Sequence, residues 1–129
     1  MKRGDIRTVQ PQPAEASVSL ESIERIILSL RGERVILDAD LAVLYGVSTK
    51  ALNQAVKRNL ERFPTDFLFQ LTAEEKSEVV TACDHLARLR FSPNLPYAFT
   101  EHGVLMAANV LNSQRAIKAS VQVDRKSVV

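Results

Sequence analysis

The segment from Asp38 to Asn59, DADLAVLYGVSTKALNQAVKRN, constrains the fold more than any other part of the chain. Asp38, an N-cap residue type, stands ahead of Leu41, Ala42, Leu44 and Tyr45, which recur at helical spacing. Gly46 then supplies a stop, because glycine takes a positive φ without steric cost. Ser48 or Thr49 opens a second helix with Leu52, Ala55, Val56 and Leu60 on one face, and Pro64 is expected to end it. A helix, a glycine turn and a second helix make the helix-turn-helix plan. Ala42, four residues before Gly46, puts a small side chain where the second helix must cross closely. Leu41, Val47, Leu52 and Ala55 fall where apolar filling is required between the two helices.

The outward positions of the second helix are Ser48, Thr49, Lys50, Asn53, Gln54, Lys57 and Arg58, and every one is polar. Asn and Gln pair bidentately with adenine, while Lys and Arg meet guanine edges or phosphates. Lys50, Lys57, Arg58 and Arg62 stand against Glu61, four cations to one carboxylate, a local excess of +3. The whole chain, at a formal +2, hides that face. A charge run alone is usually a solvated helix surface. The glycine turn, the small residue and the apolar positions together tip the balance toward DNA binding.

Around this core the pattern predicts an α+β fold with helices dominant and a small β-hairpin or sheet. Residues 1–18, polar and carrying Pro11 and Pro13, read as a disordered tail. A short helix from Leu20 precedes a hairpin of roughly 26–30 and 33–37 turning at Arg31-Gly32. Phe67–Leu71 is a strand candidate, and Thr72 with Glu75 forms a capping box for a helix through about Cys83. Residues 84–96 read as a loop and Tyr97–Phe99 as a short strand. Thr100 caps a helix from Glu101 to Leu111, and Ser113 starts the last one. Val104, Leu105, Ala108 and Leu111 are assigned to the core. The second stripe, Ala116, Ile117, Val121 and Val123, is offered as the seam of a homodimer through the C-terminal helices.

Several function classes find little support. With 129 residues the chain predicts one domain with its own core. One Cys excludes an intramolecular disulfide framework and fits a reducing compartment. No apolar run approaches the roughly 20 residues of a membrane helix, and Lys2-Arg3 are followed by no apolar signal region. The expected location is cytoplasmic, at the nucleoid when bound to DNA. No enzyme and no cofactor is expected. Cys83, Asp84 and His85 are consecutive, so their side chains diverge on a helix, and each is read as a surface or helix-end residue. With His102 distant, no metal-ligand spacing exists. The glycines form no phosphate loop. Glu74, Glu75 and Glu78 resemble an acid pair but sit in the first turns of a helix, where carboxylates favour the dipole.

Two blocks carry a resemblance. RGERVILDADLAVLYGVSTKALNQAVKRNLERFPTDFLFQLT resembles the phage ORF-six N-terminal (ORF6N-type) domain, a relative of the KilA-N DNA-binding domain family. LPYAFTEHGVLMAANVLNSQRAIKASVQV is similar to the end of the same domain, so residues 19–123 are assigned to it. The resemblance implies a DNA-binding module of phage, prophage and bacterial proteins, often ahead of variable C-terminal regions. It also implies a regulatory role, since some relatives act as antirepressors. Carried onto this chain, it favours Lys50, Asn53, Lys57, Arg58 and Asn59 as the contact helix. Arg62-Phe63-Pro64 becomes the helix exit, with Phe63 packing inward. The loop HLARLRFSPNL brings Arg88 and Arg90 forward as candidate phosphate contacts, beside Arg31, Arg34 and Arg62.

The expected function is therefore a sequence-preferring double-stranded DNA-binding domain of a phage-type regulator, with residues 48–59 in the major groove. The alternative is an antirepressor-type module that binds a regulatory protein partner. A third reading, an RNA or toxin-associated component, is weaker. The last six residues, DRKSVV, break the amphipathic pattern and match the translation of a common sequencing adapter. They are expected to be non-native, added at about Val123. An uninterrupted genomic run of codons through DRKSVV, read by an independent method, contradicts that.

Overall fold

The computed structural model describes residues 20–128. The tail expected over residues 1–18 lies outside them. A short helix α1 (Leu20–Ile26) leads into strands β1 (Leu28–Leu30) and β2 (Glu33–Leu37). The hairpin between them turns at Arg31 and Gly32, both left-handed at φ 55° and 75°, the backbone that matches strand twist in a two-residue turn. Helices α2 (Asp38–Tyr45) and α3 (Thr49–Arg58) follow, then a 3-10 turn over Leu60–Arg62. After β3 (Leu68–Gln70) come α4 (Ala73–Ala82), a 3-10 segment over Asp84–Phe91, β4 (Tyr97–Thr100), α5 (Glu101–Leu111) and α6 (Gln114–Val128).

The four strands form one antiparallel sheet in the order β1-β2-β4-β3. In it Ile36 pairs with Phe99, and Leu37 with Ala98. Side chains alternate across a strand, so the two pairs face opposite ways. Ile36 and Phe99 join Leu41, Tyr45, Leu52, Val56 and Val104 in the larger core, under α2, α3, α5 and α6. Val35, Leu37 and Ala98 join Leu71, Val79, Val80 and Leu86 in a second core, under α4 and the 3-10 segment. Both faces of the sheet are covered, which is why Val35-Ile36-Leu37 is continuously apolar instead of alternating with polar residues.

Several local expectations are met. Thr72 and Glu75 close the capping box in both directions. Thr100 and Ser113 accept backbone N–H groups from Gly103 and Ala116 to start α5 and α6. Phe63 is buried and meets Phe99 edge-on, with ring centroids 6.2 Å apart.

Others are corrected. Asp38 is the first residue of α2, not its cap; Leu37 holds the cap position and Asp38 accepts from the Ala39 N–H. Helix α3 ends at Arg58, ahead of Pro64, because the Asn59 amide turns back to the Ala55 carbonyl and the chain tightens into the 3-10 turn. Leu60 therefore leaves the apolar face and is exposed. The loop expected over 84–96 is 3-10 helical through Phe91, where buried Leu86 anchors it.

The C-terminal stripe also divides. Ala116 and Val123 are in the core, whereas Ile117 and Val121 face outward. Helix α6 packs against α1, α2 and α5. Helix α6 continues past Val123 through Asp124 to Val128.

One glycine is fixed by space. A Cβ on Gly103 would stand 1.9 Å from the Phe67 carbonyl oxygen. That oxygen already accepts from the Thr100 N–H at 3.0 Å, so α5 begins in close contact with the chain entering β3.

Candidate nucleic-acid interface

The turn between α2 and α3 is built by Gly46 in the left-handed region at φ 73°. The Gly46 N–H donates to the Val43 carbonyl and the Val47 N–H to the Ala42 carbonyl, so the last turn of α2 is closed by backbone. Arg115 of α6 completes it. Its Nε donates to the Leu44 carbonyl and its Nη2 to the Val43 carbonyl, each at 3.2 Å. A cation at the carbonyl end of a helix also opposes the negative pole of its dipole. The guanidinium lies across Gly46, where a Cβ would come within 2.9 Å of Arg115 Cδ.

Ser48 starts α3 by accepting from the Ala51 N–H at 3.0 Å, so its hydroxyl serves the helix. Leu52 and Val56 anchor α3 in the core, and Ala42 and Leu41 are buried beneath the crossing. Tyr45 is fully buried; its hydroxyl donates to the Val104 carbonyl at 2.7 Å, and burial pushes its pKa far up. The outward side of α3 carries Lys50, Gln54, Lys57 and Arg58, all exposed. Thr49, Asn53 and Asn59 are half-buried.

Two of the amides have internal partners. Asn53 Nδ2 donates to Asp38 Oδ2 at 3.1 Å, and Asn59 Nδ2 to the Ala55 carbonyl at 2.8 Å. Arg62, exposed in the 3-10 turn, reaches Asn109 Oδ1 at 3.4 Å.

The outlying arginines separate. Arg31 binds Glu75 through two bonds of 2.9 Å, donates to the Gln70 carbonyl, and lies 4.1 Å from the centre of the Phe69 ring. It ties the hairpin to α4. The Arg31 guanidinium, and then the Thr72 backbone, hold the Glu75 carboxyl down at about 2. Arg34 shares a small pocket with Glu101 and Val123 on the far side of the sheet from α4. Arg90 lines a separate pocket with Lys76 and Thr81 of α4. Arg88 shares a cleft with α3. That cleft, of about 480 Å³, is lined by Thr49, Asn53 and Lys57 from the helix and by Arg88, Ser92 and Asn94 from the facing segment.

The sequence did not disclose the acids beneath this surface. Asp38 and Asp40, both nearly buried, occupy the first turn of α2. Asp40 Oδ2 stands 3.0 Å from His85 Nε2, so His85, at the start of the 3-10 segment, is half-buried against α2. Two carboxylates in a first helical turn favour the helix dipole, which was the available signal. Nothing in the spacing of His85, forty-five residues away, announced its partner. Among the described residues no three His, Cys, Asp or Glu side chains converge as a metal site would require, and no helix is long and apolar enough to cross a membrane.

The family described as ORF6N domain matches residues 25–110, a span holding both helices, the sheet and most of α5. No curated protein and no solved structure matches the chain.

Proposed function

The chain belongs to the ORF6N domain family, and from the build of its α2–turn–α3 unit we propose that it is a sequence-preferring double-stranded DNA-binding domain of a phage-type regulator. Helix α3 enters the major groove. The observation that carries this is the outward side of α3: Lys50, Gln54, Lys57 and Arg58 are all exposed, on a helix rigidly seated by Leu52 and Val56. Such a surface offers amide and guanidinium groups to base edges and cations to phosphates. Arg62 and Arg88 extend the positive field, while Arg31 is held within the fold. In this proposal the protein binds rather than catalyses, takes no cofactor, and works in the cytoplasm at the nucleoid.

Binding to a random-sequence duplex over a range of salt concentrations tests it. The expected result is measurable affinity at low salt that falls steeply as salt rises, with single-stranded DNA and RNA competing poorly. No duplex binding at low salt contradicts it.

A second reading is an antirepressor-type module that binds a regulatory protein. Ile117 and Val121 favour it: they are apolar, stand one turn apart on α6, and are 42% and 44% exposed. The same pair is what remains of the seam for a homodimer.

A further inference from the structure

Helix α3 does not stand alone on the surface. The Asp84–Phe91 segment and the residues after it run beside it, across the cleft of about 480 Å³. Thr49, Asn53 and Lys57, which line the cleft, are spaced by four and form a single row along α3. Lys50, Gln54 and Arg58 form the next row, about 100° around the helix, and do not line it.

The opposite wall is fixed in place. Leu86 is fully buried, and His85 meets Asp40. Lys76 Nζ donates to the Ser92 carbonyl and, at 3.1 Å, to the Asn94 carbonyl. Arg88, on this braced segment, lines the cleft, with its Nη1 donating to the His85 carbonyl at 3.3 Å. Asp38 is the one carboxylate in the lining, and it is nearly buried. Its two oxygens accept from the Ala39 N–H and from Asn53 Nδ2. The exposed charges lining the cleft are therefore Lys57 on one wall and Arg88 on the other, both positive.

A cleft with a cation on each wall and hydrogen-bonding side chains such as Thr49, Ser92 and Asn94 among an otherwise mixed lining fits the charge and hydrogen-bonding chemistry of a phosphodiester backbone. Resting on the DNA-binding proposal above, we propose that one strand's backbone runs in the cleft between α3 and the 84–96 segment, held by Lys57 and Arg88. The row Lys50, Gln54 and Arg58 then reads base edges in the adjoining major groove. Contacts to phosphate set affinity and register; contacts to bases set preference. The two rows of a single helix thus divide the work.

The test uses two probes: a short random-sequence duplex, and the tightest duplex recovered by selection from a randomised library. Lys57→Ala and Arg88→Ala are each expected to weaken both duplexes by the same factor, about tenfold, and to lower the salt slope by about 1. Gln54→Ala and Arg58→Ala are expected to erode the preference for the selected duplex over the random one. Thermal unfolding accompanies each variant; all four side chains are exposed, so wild-type stability is expected. If the wild-type chain binds both duplexes and Arg88→Ala leaves affinity and slope unchanged, the clamp is wrong while the DNA-binding proposal stands. An Arg88→Ala effect confined to the selected duplex also overturns it. If the wild-type chain binds neither duplex at low salt, both proposals fall.

Discussion

Asn53 Nδ2 donates to Asp38 Oδ2 across 3.1 Å, joining the middle of α3 to the first residue of α2. Asp38 is 6% exposed, so little solvent reaches its oxygens to replace that donor. The amide that base-pairing logic assigns to adenine thus fixes the angle between the two helices. Asn53→Ala is expected to destabilise the fold by about 1–3 kcal/mol, the usual cost of a buried acceptor left without its donor. Asp38→Asn combined with Asn53→Asp, which reverses donor and acceptor, should recover part of the lost stability by thermal unfolding. Wild-type stability in Asn53→Ala contradicts this role.

Glu75 carries a pH signature. Arg31 holds its carboxyl at about 2, below its ordinary 4.5. A carboxyl depressed in the folded state adds stability above its unfolded pKa and loses it as the pH falls through its folded value. The contribution is therefore complete above about pH 4.5 and fades toward pH 2. Arg31→Ala is expected to move the Glu75 carboxyl upward in an NMR titration. It should stop short of the ordinary value, because the Thr72 N–H still donates to it. An unmoved titration shows that Arg31 does not hold Glu75.

Gly103→Ala tests the start of α5. The added methyl would meet the Phe67 carbonyl at 1.9 Å, and that carbonyl belongs to backbone tied to Thr100. A loss of about 1–3 kcal/mol is expected, typical of overpacking where backbone must shift. Chemical denaturation reads it directly, and a neutral result removes the close approach from the account.

Arg115→Ala tests the link from α6 to the α2–turn–α3 unit. It removes two bonds to the last carbonyls of α2 and the cation at that pole. The expected cost is about 1 kcal/mol, since the guanidinium is exposed and water replaces part of what is lost. Hydrogen exchange should quicken first at Gly46 and Val47, whose N–H groups close the same turn. Uniform change across the chain, or none, contradicts a local cap.

Much of the fold was legible because local chemistry fixed it. Gly46 after an apolar run, Thr72 with Glu75 three residues on, and Thr100 before Glu101 each state a helix boundary in a few residues. The strands over 33–37 and 97–100 were legible as β-branched or aromatic runs, but their pairing as neighbours was not. That contact joins segments far apart in the chain, and spacing carries no information about it. The polar side of α3 was readable from helical periodicity alone. Its division into two rows was not, since it depends on the 84–96 segment folding back beside the helix. Arg31 illustrates the limit from the other direction. By composition it is one more surface arginine, and only the position of Glu75 shows that its charge is already engaged.

In the DNA-binding proposal, α3 holds duplex DNA through its exposed cations. The most direct measurement is the slope of log affinity against log salt, on one random-sequence duplex, for the wild-type chain and for Lys57→Ala with Arg58→Ala. A steep negative slope for the wild type is predicted, flattened by about 1–2 in the double variant as bound counterions are no longer released at those positions. Equal slopes in the two proteins would contradict the placement of DNA on α3.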